Sequence, residues 1–345
     1  MTPANSTISE PVETPAIPAA EAGIQPAKAA PSSMLLAALV LVATALPFLP
    51  ALRYGFVFDD DVQVVDNIAV RHSQSAWTYF VTSIWSLRHS AIPLNYSYYR
   101  PMFYSWLRLN VVLFGNNPFW WHVSAVITHM AVTLLVFYLI LRHVRNPWSA
   151  AVGALIFGVH AVHIESVVWI SGATDPLMAL GVLASFLLWL KSAEKPSARL
   201  RIGSLACYAA ALLCKETAVA LPVIVFLYVW LGISANREPL ESLRDRTLAA
   251  FRESLPFFGV TLAYLGVRTA VLLPFHSGSK PWLSVSQTLL TAPSALAFYM
   301  RKLVWPAGLR LFYDFQPVSH VLSWSLWASL FGIAAVVACL GLAWR

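Results

Sequence analysis

The sequence predicts an all-α polytopic membrane protein, a bundle of about eight or nine membrane-crossing helices with a long first loop on the outer side. Three observations predict it. Hydrophobic residues make up 58% of the chain and charged residues 11%, where soluble domains carry about a quarter of charged residues. Apolar runs of about 17–25 residues, long enough to cross a hydrocarbon core, recur along the chain. Lys and Arg gather in three connecting segments that fall on one side of the membrane, as retained cytoplasmic loops do.

Residues 1–33, MTPANSTISEPVETPAIPAAEAGIQPAKAAPSS, are rich in Ala, Pro, Glu and Ser and nearly empty of large apolar side chains. Such a segment cannot bury enough surface to fold, and a disordered cytoplasmic tail is expected. Glu10, Glu13 and Glu21 and the lack of a basic start argue against a signal peptide, so the first apolar run, Met34–Leu52, is expected to be a retained span. The remainder, residues 34–345, is one transmembrane domain. Residues 53–118 follow as the long outer loop. The next spans are Phe119–Leu141, Ser149–Val168 and Pro176–Leu190. Ile202–Leu231 is too long for one crossing and is broken by Lys215-Glu216-Thr217, which predicts a helical hairpin turning at that triplet. Leu255–Pro274 and Val321–Trp344 complete the set. Val285–Trp305 is apolar enough to span, yet Pro293, Arg301, Lys302 and Pro306 interrupt or flank it, so crossing and lying in the interface both remain open.

Orientation follows from the basic residues. Arg142 and Arg145, then Lys191, Lys195, Arg199 and Arg201, then Arg237, Arg244, Arg246 and Arg252 occupy the three basic segments, which all become cytoplasmic if the N-terminus is cytoplasmic. The net charge of +7 is then a matter of topology and lipid contact, with no nucleic acid as partner. Cys207, Cys214 and Cys339 are too few for a disulfide framework and read as small apolar residues within spans.

The outer side receives the chemistry-bearing residues. Asp59, Asp60 and Asp61 stand together just beyond the first span, in FVFDDDVQVVDN. Mutual repulsion and the low-dielectric surface both raise a carboxylate's pKa, which makes Asp59 or Asp60 a candidate general base. His160, His163 and Glu165 lie late in the third span, in GVHAVHIESVVW, and are placed about 16–24 Å along a helix that starts at Ser149. With His160 and His163 on one face, two readings stand: a zinc-type metal site, or a polar network that shapes a site. The pattern is not HExxH and no Cys is near, so no cofactor is expected. Arg268, deep in the seventh span, calls for a carboxylate or phosphate, or reaches to the headgroups. Lys215 and Glu216 form the charged hairpin turn, and Arg100 sits among aromatics late in the outer loop. Trp77, Trp85, Trp106, Trp120 and Trp121 suit an interfacial belt or a surface that stacks on sugar rings. His122 and His129, seven residues apart on the second span, are expected to be satisfied by hydrogen bonds between helices.

These segments resemble the transmembrane and tetratricopeptide-repeat (TMTC-like) O-mannosyltransferases, of the GT-C glycosyltransferase superfamily. FVFDDDVQVVDN is similar to that family's first-loop Asp-Asp motif, and YYRP at Tyr98–Pro101 to its Tyr-Arg-Pro element. HAVHIESVVWISGATD, His160–Asp175, resembles its His-Pro-Val-His-x-Glu stretch, with Ala161 in place of Pro. LLCKE at Leu212–Glu216 resembles its Leu-Ser-Lys-Glu, and KLVWPAGLRLFYDF at Lys302–Phe315 its Pro-x-x-Leu segment. The matches run in the family's order from about Gly55 to Phe315. No tetratricopeptide repeats follow, so the transmembrane catalytic module alone is expected.

The resemblance implies a GT-C helical bundle that moves a sugar, mannose or another hexose, from a polyprenyl- or dolichyl-phosphate carrier to a protein or glycan acceptor on the outer face. Asp59 or Asp60 would be the base. Arg268, with Lys215 and Arg100, would bind the lipid phosphate. His160, His163, Glu165, Glu216 and Asp175 would shape the site, and no metal would be required. The bilayer is the obligate surrounding: the inner membrane in a bacterium, the endoplasmic reticulum in a eukaryote. Residues 275–320 become a second outer loop carrying an interfacial or re-entrant segment. The alternatives are a secondary transporter, whose polar groups would lie near the membrane midplane, and a noncatalytic membrane scaffold, for which the Asp cluster would be dispensable.

Overall fold

The computed structural model describes residues 32–72, 75–83, 98–233, 242–273 and 283–344. Nearly all of the expected N-terminal tail, Trp85 and Arg237 lie outside the described residues. The described residues form helices and turns, with no strand among them. The protein is an all-α polytopic membrane protein.

Helix α1 (Ser33–Ala45) begins where the Ser32 hydroxyl accepts the amide of Leu35, and continues into a 3-10 turn over Leu46–Arg53 that contains Pro50. A proline offers no N–H to the helical ladder, so the last turns tighten rather than continue as α-helix. The outer loop is itself folded. A single π turn at Asp61–Val65 leads to α2 (Ile68–Arg71), α3 (Ala76–Phe80) and α4 (Pro101–Phe114). Val64, Val70, Tyr79, Phe103, Tyr104 and Leu107 of this region pack with Trp121, Ile170 and Ala173 into one buried cluster. Trp121 therefore belongs to a core rather than an interfacial belt, with its ring N–H donated to the Gly115 carbonyl at 2.9 Å.

Helices α5 (Pro118–Val144) and α6 (Pro147–Gly158) each open on a proline at the first helical position, where the missing N–H costs nothing. Asn117 and Asn146 cap them by accepting backbone N–H groups. After α6 come a 3-10 turn at Ala161–His163, α7 (Ile164–Val168) and a second 3-10 turn at Ile170–Ala173. The third span is thus not the single straight helix expected from the sequence: α6 and the segment after it meet at a 45° bend. Helix α8 is Thr174–Glu194. The hairpin of α9 (Ala198–Leu212) and α10 (Leu221–Trp230) turns at Lys215 and a 3-10 turn at Glu216–Ala220, as the sequence predicts.

Helix α11 spans Leu243–Leu272. It starts before the expected span, because Ser242 accepts the Asp245 amide at 3.0 Å and caps it there. Arg244, Arg246 and Arg252 consequently lie on the helix rather than in a loop. The chain continues with α12 (Val285–Val304) and α13 (Trp324–Trp344).

Among the described residues, four helices are long and apolar enough to cross a membrane, or five with the bent third span counted as one. Two shorter apolar helices, Glu216–Trp230 and Trp324–Cys339, stand beside them, and α12 is not in either set. Helix α5 packs on α6, α8 on α9, α10 on α11, and α12 on α13. Small residues allow the close approaches: a Cβ added at Gly181 would stand 2.9 Å from both the Ala211 side chain and the Cys207 carbonyl, so α8 and α9 meet almost backbone to backbone. Large apolar side chains such as Leu39, Ile127, Ile156 and Leu262 point outward, the arrangement a lipid solvent favours. Cys214 is buried, while Cys339 is exposed on α13 rather than packed inside. At the end of the bundle that carries the basic segments, Arg142 pairs with Glu194 at 2.6 Å and Arg201 with Glu253 at 2.7 Å.

Candidate functional site

The three aspartates occupy a tight turn with three different fates. Phe58 holds φ +52°, a left-handed conformation that side chains with a Cβ rarely adopt, immediately before Asp59. The turn closes through the Asp60 amide donating to the Val57 carbonyl at 3.0 Å. The Asp60 side chain is wholly buried. Its Oδ1 accepts the Ser171 amide at 2.8 Å and the Ser171 hydroxyl at 2.6 Å, and its Oδ2 accepts the Val57 amide at 3.2 Å. Burial raises its pKa, and the hydrogen bonds from Ser171, Val57 and Ile170 pull it back. Asp59 is half-buried, and burial alone raises its pKa above the ordinary value of 3.8. No hydrogen bond or ion pair engages the Asp59 carboxylate among the described residues. Asp61 and Asp66 are exposed to solvent. The sequence attributed the raised basicity partly to mutual repulsion; burial is the cause in the structure.

The histidines sit at the break in the third span rather than on one helical face. His160 caps the 3-10 turn, its Nδ1 accepting the Val162 amide at 3.1 Å. That leaves Nε2 to donate to the Leu303 carbonyl of α12 at 2.9 Å. His163 packs against Phe157 and His129, with ring centroids at 4.6 and 5.0 Å. His129 donates across to the Gly158 carbonyl at 2.9 Å, the interhelical bond expected of it. His122 is buried against the Tyr54–Gly55 backbone without a hydrogen bond of good geometry. Among the described residues no group of three His, Cys, Asp or Glu side chains is placed to hold a metal ion. Glu165 is exposed on α7, within electrostatic reach of Asp175 and Lys215.

The cations separate into paired and unpaired. Lys215, at the hairpin turn, meets Asp175 at 2.5 Å, and Asp175 occupies the first turn of α8, where a carboxylate is favoured by the helix dipole. Arg100 precedes α4 and pairs with Glu216 at 2.9 Å. Its guanidinium also lies 4.4 Å from the centre of the Tyr98 ring, a cation–π distance. The Met102 amide donates to the Leu213 carbonyl at 3.1 Å and fastens α4 to the hairpin. Arg268 has no carboxylate partner among the described residues, and its Nε is buried without a hydrogen bond.

One turn before Arg268, the Tyr264 hydroxyl is likewise buried and unpaired, in a residue only 6% exposed. The charged groups that act on Tyr264 are Glu216, Arg268 and Arg100, and the Tyr99 ring lies 6.2 Å from its own. Arg100 Nε and Glu216 Oε1 are also buried without partners. Four unsatisfied polar atoms thus belong to one neighbourhood, where buried polar groups ordinarily have partners.

Part of the expected set is joined by pairwise contacts. Asp60 holds Ser171, four residues before Asp175, which holds Lys215, next to Glu216, which holds Arg100. Two cavities of about 380 and 360 Å³ lie elsewhere, one in the outer loop beside Asp66 and His72, the other beside Arg201 and Arg252. Sequence reading overlooked Ser171, Tyr99 and Tyr264. Tyr264 was discoverable, since four residues before Arg268 puts it on the same helical face. Nothing in the sequence distinguishes Ser171 from any other serine.

Residues 99–249 match a family profile described as Dolichyl-phosphate-mannose-protein mannosyltransferase. Protein O-mannosyl-transferase TMTC1 of Mus musculus is 37% identical over 161 residues, covering 46% of this chain and 17% of that protein. Protein O-mannosyl-transferase TMTC3 of Mus musculus is 30% identical over 154 residues, or 45% of this chain and 16% of the relative. Protein O-mannosyl-transferase TMTC2 of Homo sapiens is 28% identical over 288 residues, which is 79% of this chain and 34% of the relative. The chain spans less than a fifth of the length of either TMTC1 relative it matches. No solved structure matches.

Proposed function

We propose, from the premise that this chain is a relative of the protein O-mannosyl-transferases it matches, that it is a membrane glycosyltransferase. It takes a sugar, mannose or another hexose, from a polyprenyl- or dolichyl-phosphate carrier and transfers it to a hydroxyl of a protein or glycan acceptor. The reaction takes place on the extracytoplasmic face, with the N-terminus cytoplasmic. The membrane is the bacterial inner membrane or the endoplasmic reticulum, according to the host.

The observation that carries this reading is that two groups remain uncommitted: the half-buried carboxylate of Asp59, and Arg268, whose Nε is buried without a hydrogen bond. Transfer needs both. The acceptor oxygen bonds to the anomeric carbon and gives up its proton to Asp59, a carboxylate whose raised pKa suits a general base. The bond from that carbon to the phosphate oxygen breaks, and its electron pair leaves with the lipid phosphate. Arg268 meets the charge that the phosphate gains, as a preorganised cation in a low-dielectric site. Arg100 and Lys215 already hold Glu216 and Asp175, so they set the potential around the phosphate and position those carboxylates. His160 and His163 brace the broken span that carries the wall of the site, and Glu165 lines its approach.

The test is sugar transfer by purified protein in lipid, from a panel of polyprenyl-phosphate sugars, comparing wild type with Asp59→Asn and Arg268→Ala. The reading expects transfer by wild type and its loss in both variants. Full activity in the Asp59→Asn variant would remove that carboxylate as the base, and no transfer from any donor by wild type would sink the transferase reading.

A further inference from the structure

We propose that Ser171 is a positioning residue: by clamping Asp60 it fixes the acid turn, so that Asp60 is the anchor and Asp59 the carboxylate left to react. The role of Asp59 rests on the transferase reading above; the clamp itself does not.

Asp60 is unsuited to taking a proton from a substrate. Its carboxylate is fully buried, and both oxygens already accept hydrogen bonds, Oδ1 two of them from one residue. A carboxylate whose one oxygen accepts an amide and a hydroxyl of the same residue, while its other oxygen accepts a second amide, is held in direction as well as distance. Ser171 is equally fixed. It lies in the 3-10 turn Ile170–Ala173, every residue of which is buried, between the bent third span and α8. A Cβ added at the next residue, Gly172, would come within 2.6 Å of the Glu165 carbonyl, so this turn sits directly on the backbone of α7. The clamp therefore ties a loop to a rigid part of the bundle.

The neighbouring backbone shows what the clamp opposes. Phe58 sits at φ +52°, a conformation that is strained for a non-glycine residue and persists only when its surroundings impose it. Phe58 and Asp60 flank Asp59. With Phe58 turned left-handed on one side and Asp60 bolted inward on the other, the Asp59 carboxylate stays half-buried and without a hydrogen bond among the described residues. Ser171 also stands four residues before Asp175, so the same turn sets the distance between the acid turn and the Lys215 pair.

Carboxyl labelling of the full chain in lipid discs tests the clamp without any donor. A water-soluble carbodiimide with an amine nucleophile, read by fragment mass spectrometry, should label Asp59 and Asp61 in wild type and spare Asp60. Ser171→Ala should expose Asp60 to labelling by several-fold, and Ser171→Thr, which keeps the hydroxyl, should protect it. Labelling of Asp60 in wild type at the rate of Asp59, or unchanged protection in Ser171→Ala, would overturn the proposal. In the transfer assay, Ser171→Ala should lower kcat by about ten- to a hundred-fold with the donor KM unchanged, the signature of a misplaced group. Ser171→Thr should restore most of it. A rise in KM alone would mean a binding role instead and would also overturn the proposal. If wild type transfers no sugar, the transferase reading fails while the labelling still decides the clamp.

Discussion

Arg100 and Glu216, far apart in the chain, form an ion pair of 2.9 Å that joins the start of α4 to the α9–α10 hairpin. Each keeps a further buried polar atom without a partner. Glu216→Gln should lower stability by about 1–3 kcal/mol, because it strands a partly buried guanidinium. Thermal unfolding in lipid or detergent checks this. Arg100→Lys should not preserve activity, since a compact ammonium has no planar face to pack over the Tyr98 ring while one nitrogen holds the Glu216 carboxylate, as the guanidinium does.

Asp59 should impose a pH dependence of definite sign. Burial raises its pKa above 3.8, so the folded protein holds this proton more tightly than the unfolded chain. Its contribution to stability therefore falls as pH rises from the ordinary carboxylate value through the raised one. Transfer should do the opposite and increase with pH over that range, as the base becomes available. The neighbouring carboxylates are Asp60 and Asp61. A pH–rate profile whose acid limb survives in the Asp59→Asn variant, at reduced rate, would assign the limb to another group.

Arg268 and Tyr264 should separate in their effects. Arg268→Ala should cost about a hundred- to a thousand-fold in kcat, the usual loss when one preorganised donor is removed. Tyr264→Phe removes a hydroxyl that is buried and unpaired in the free protein, so stability should hold or rise by about 1 kcal/mol. If that hydroxyl meets the donor, the donor KM should increase in the same variant. Steady-state kinetics with unfolding measured in parallel decides both.

Gly172→Ala should destabilise by about 1–3 kcal/mol, as overpacking does. The added Cβ would stand 2.6 Å from the Glu165 carbonyl and 3.3 Å from the Ser166 Cα, and backbone cannot swing aside as a side chain does. Denaturant unfolding of this variant beside Gly266→Ala, where a Cβ meets nothing within 4 Å, supplies the control.

Chelation should leave transfer unchanged. The charge on the leaving phosphate is met in our scheme by Arg268, and both ring nitrogens of His160 are taken by backbone groups. Assays with and without a divalent-cation chelator test this, and loss of activity that returns on adding one cation would place a metal in the mechanism.

Much of the architecture was legible from the sequence because it depends on local quantities. Length and apolarity of a run decide whether it suits a bilayer, and Lys215-Glu216-Thr217 broke the long run at Ile202–Leu231 where the structure turns. The order of the motifs was enough to name the family resemblance, and the candidate residues were chosen on residue type and side of the membrane alone. The bend in the third span was not legible. His160 and His163 look like one helical face, and only their contacts with Leu303, Phe157 and His129 show that the helix has ended. Trp121 looked like part of a belt because an aromatic near a span end is usually one; burial in the loop core depends on residues distant in the chain.

The sequence by itself determined that this is a helical membrane protein, and which of its acids and bases are candidates for chemistry, because hydropathy and charge act residue by residue. Only the tertiary structure decided which of those groups are spoken for. Asp60 is held by Ser171, Lys215 by Asp175 and Arg100 by Glu216, while Asp59 and Arg268 have no such partner among the described residues. Pairing depends on distances of about 3 Å between residues far apart along the chain, and no local pattern records them.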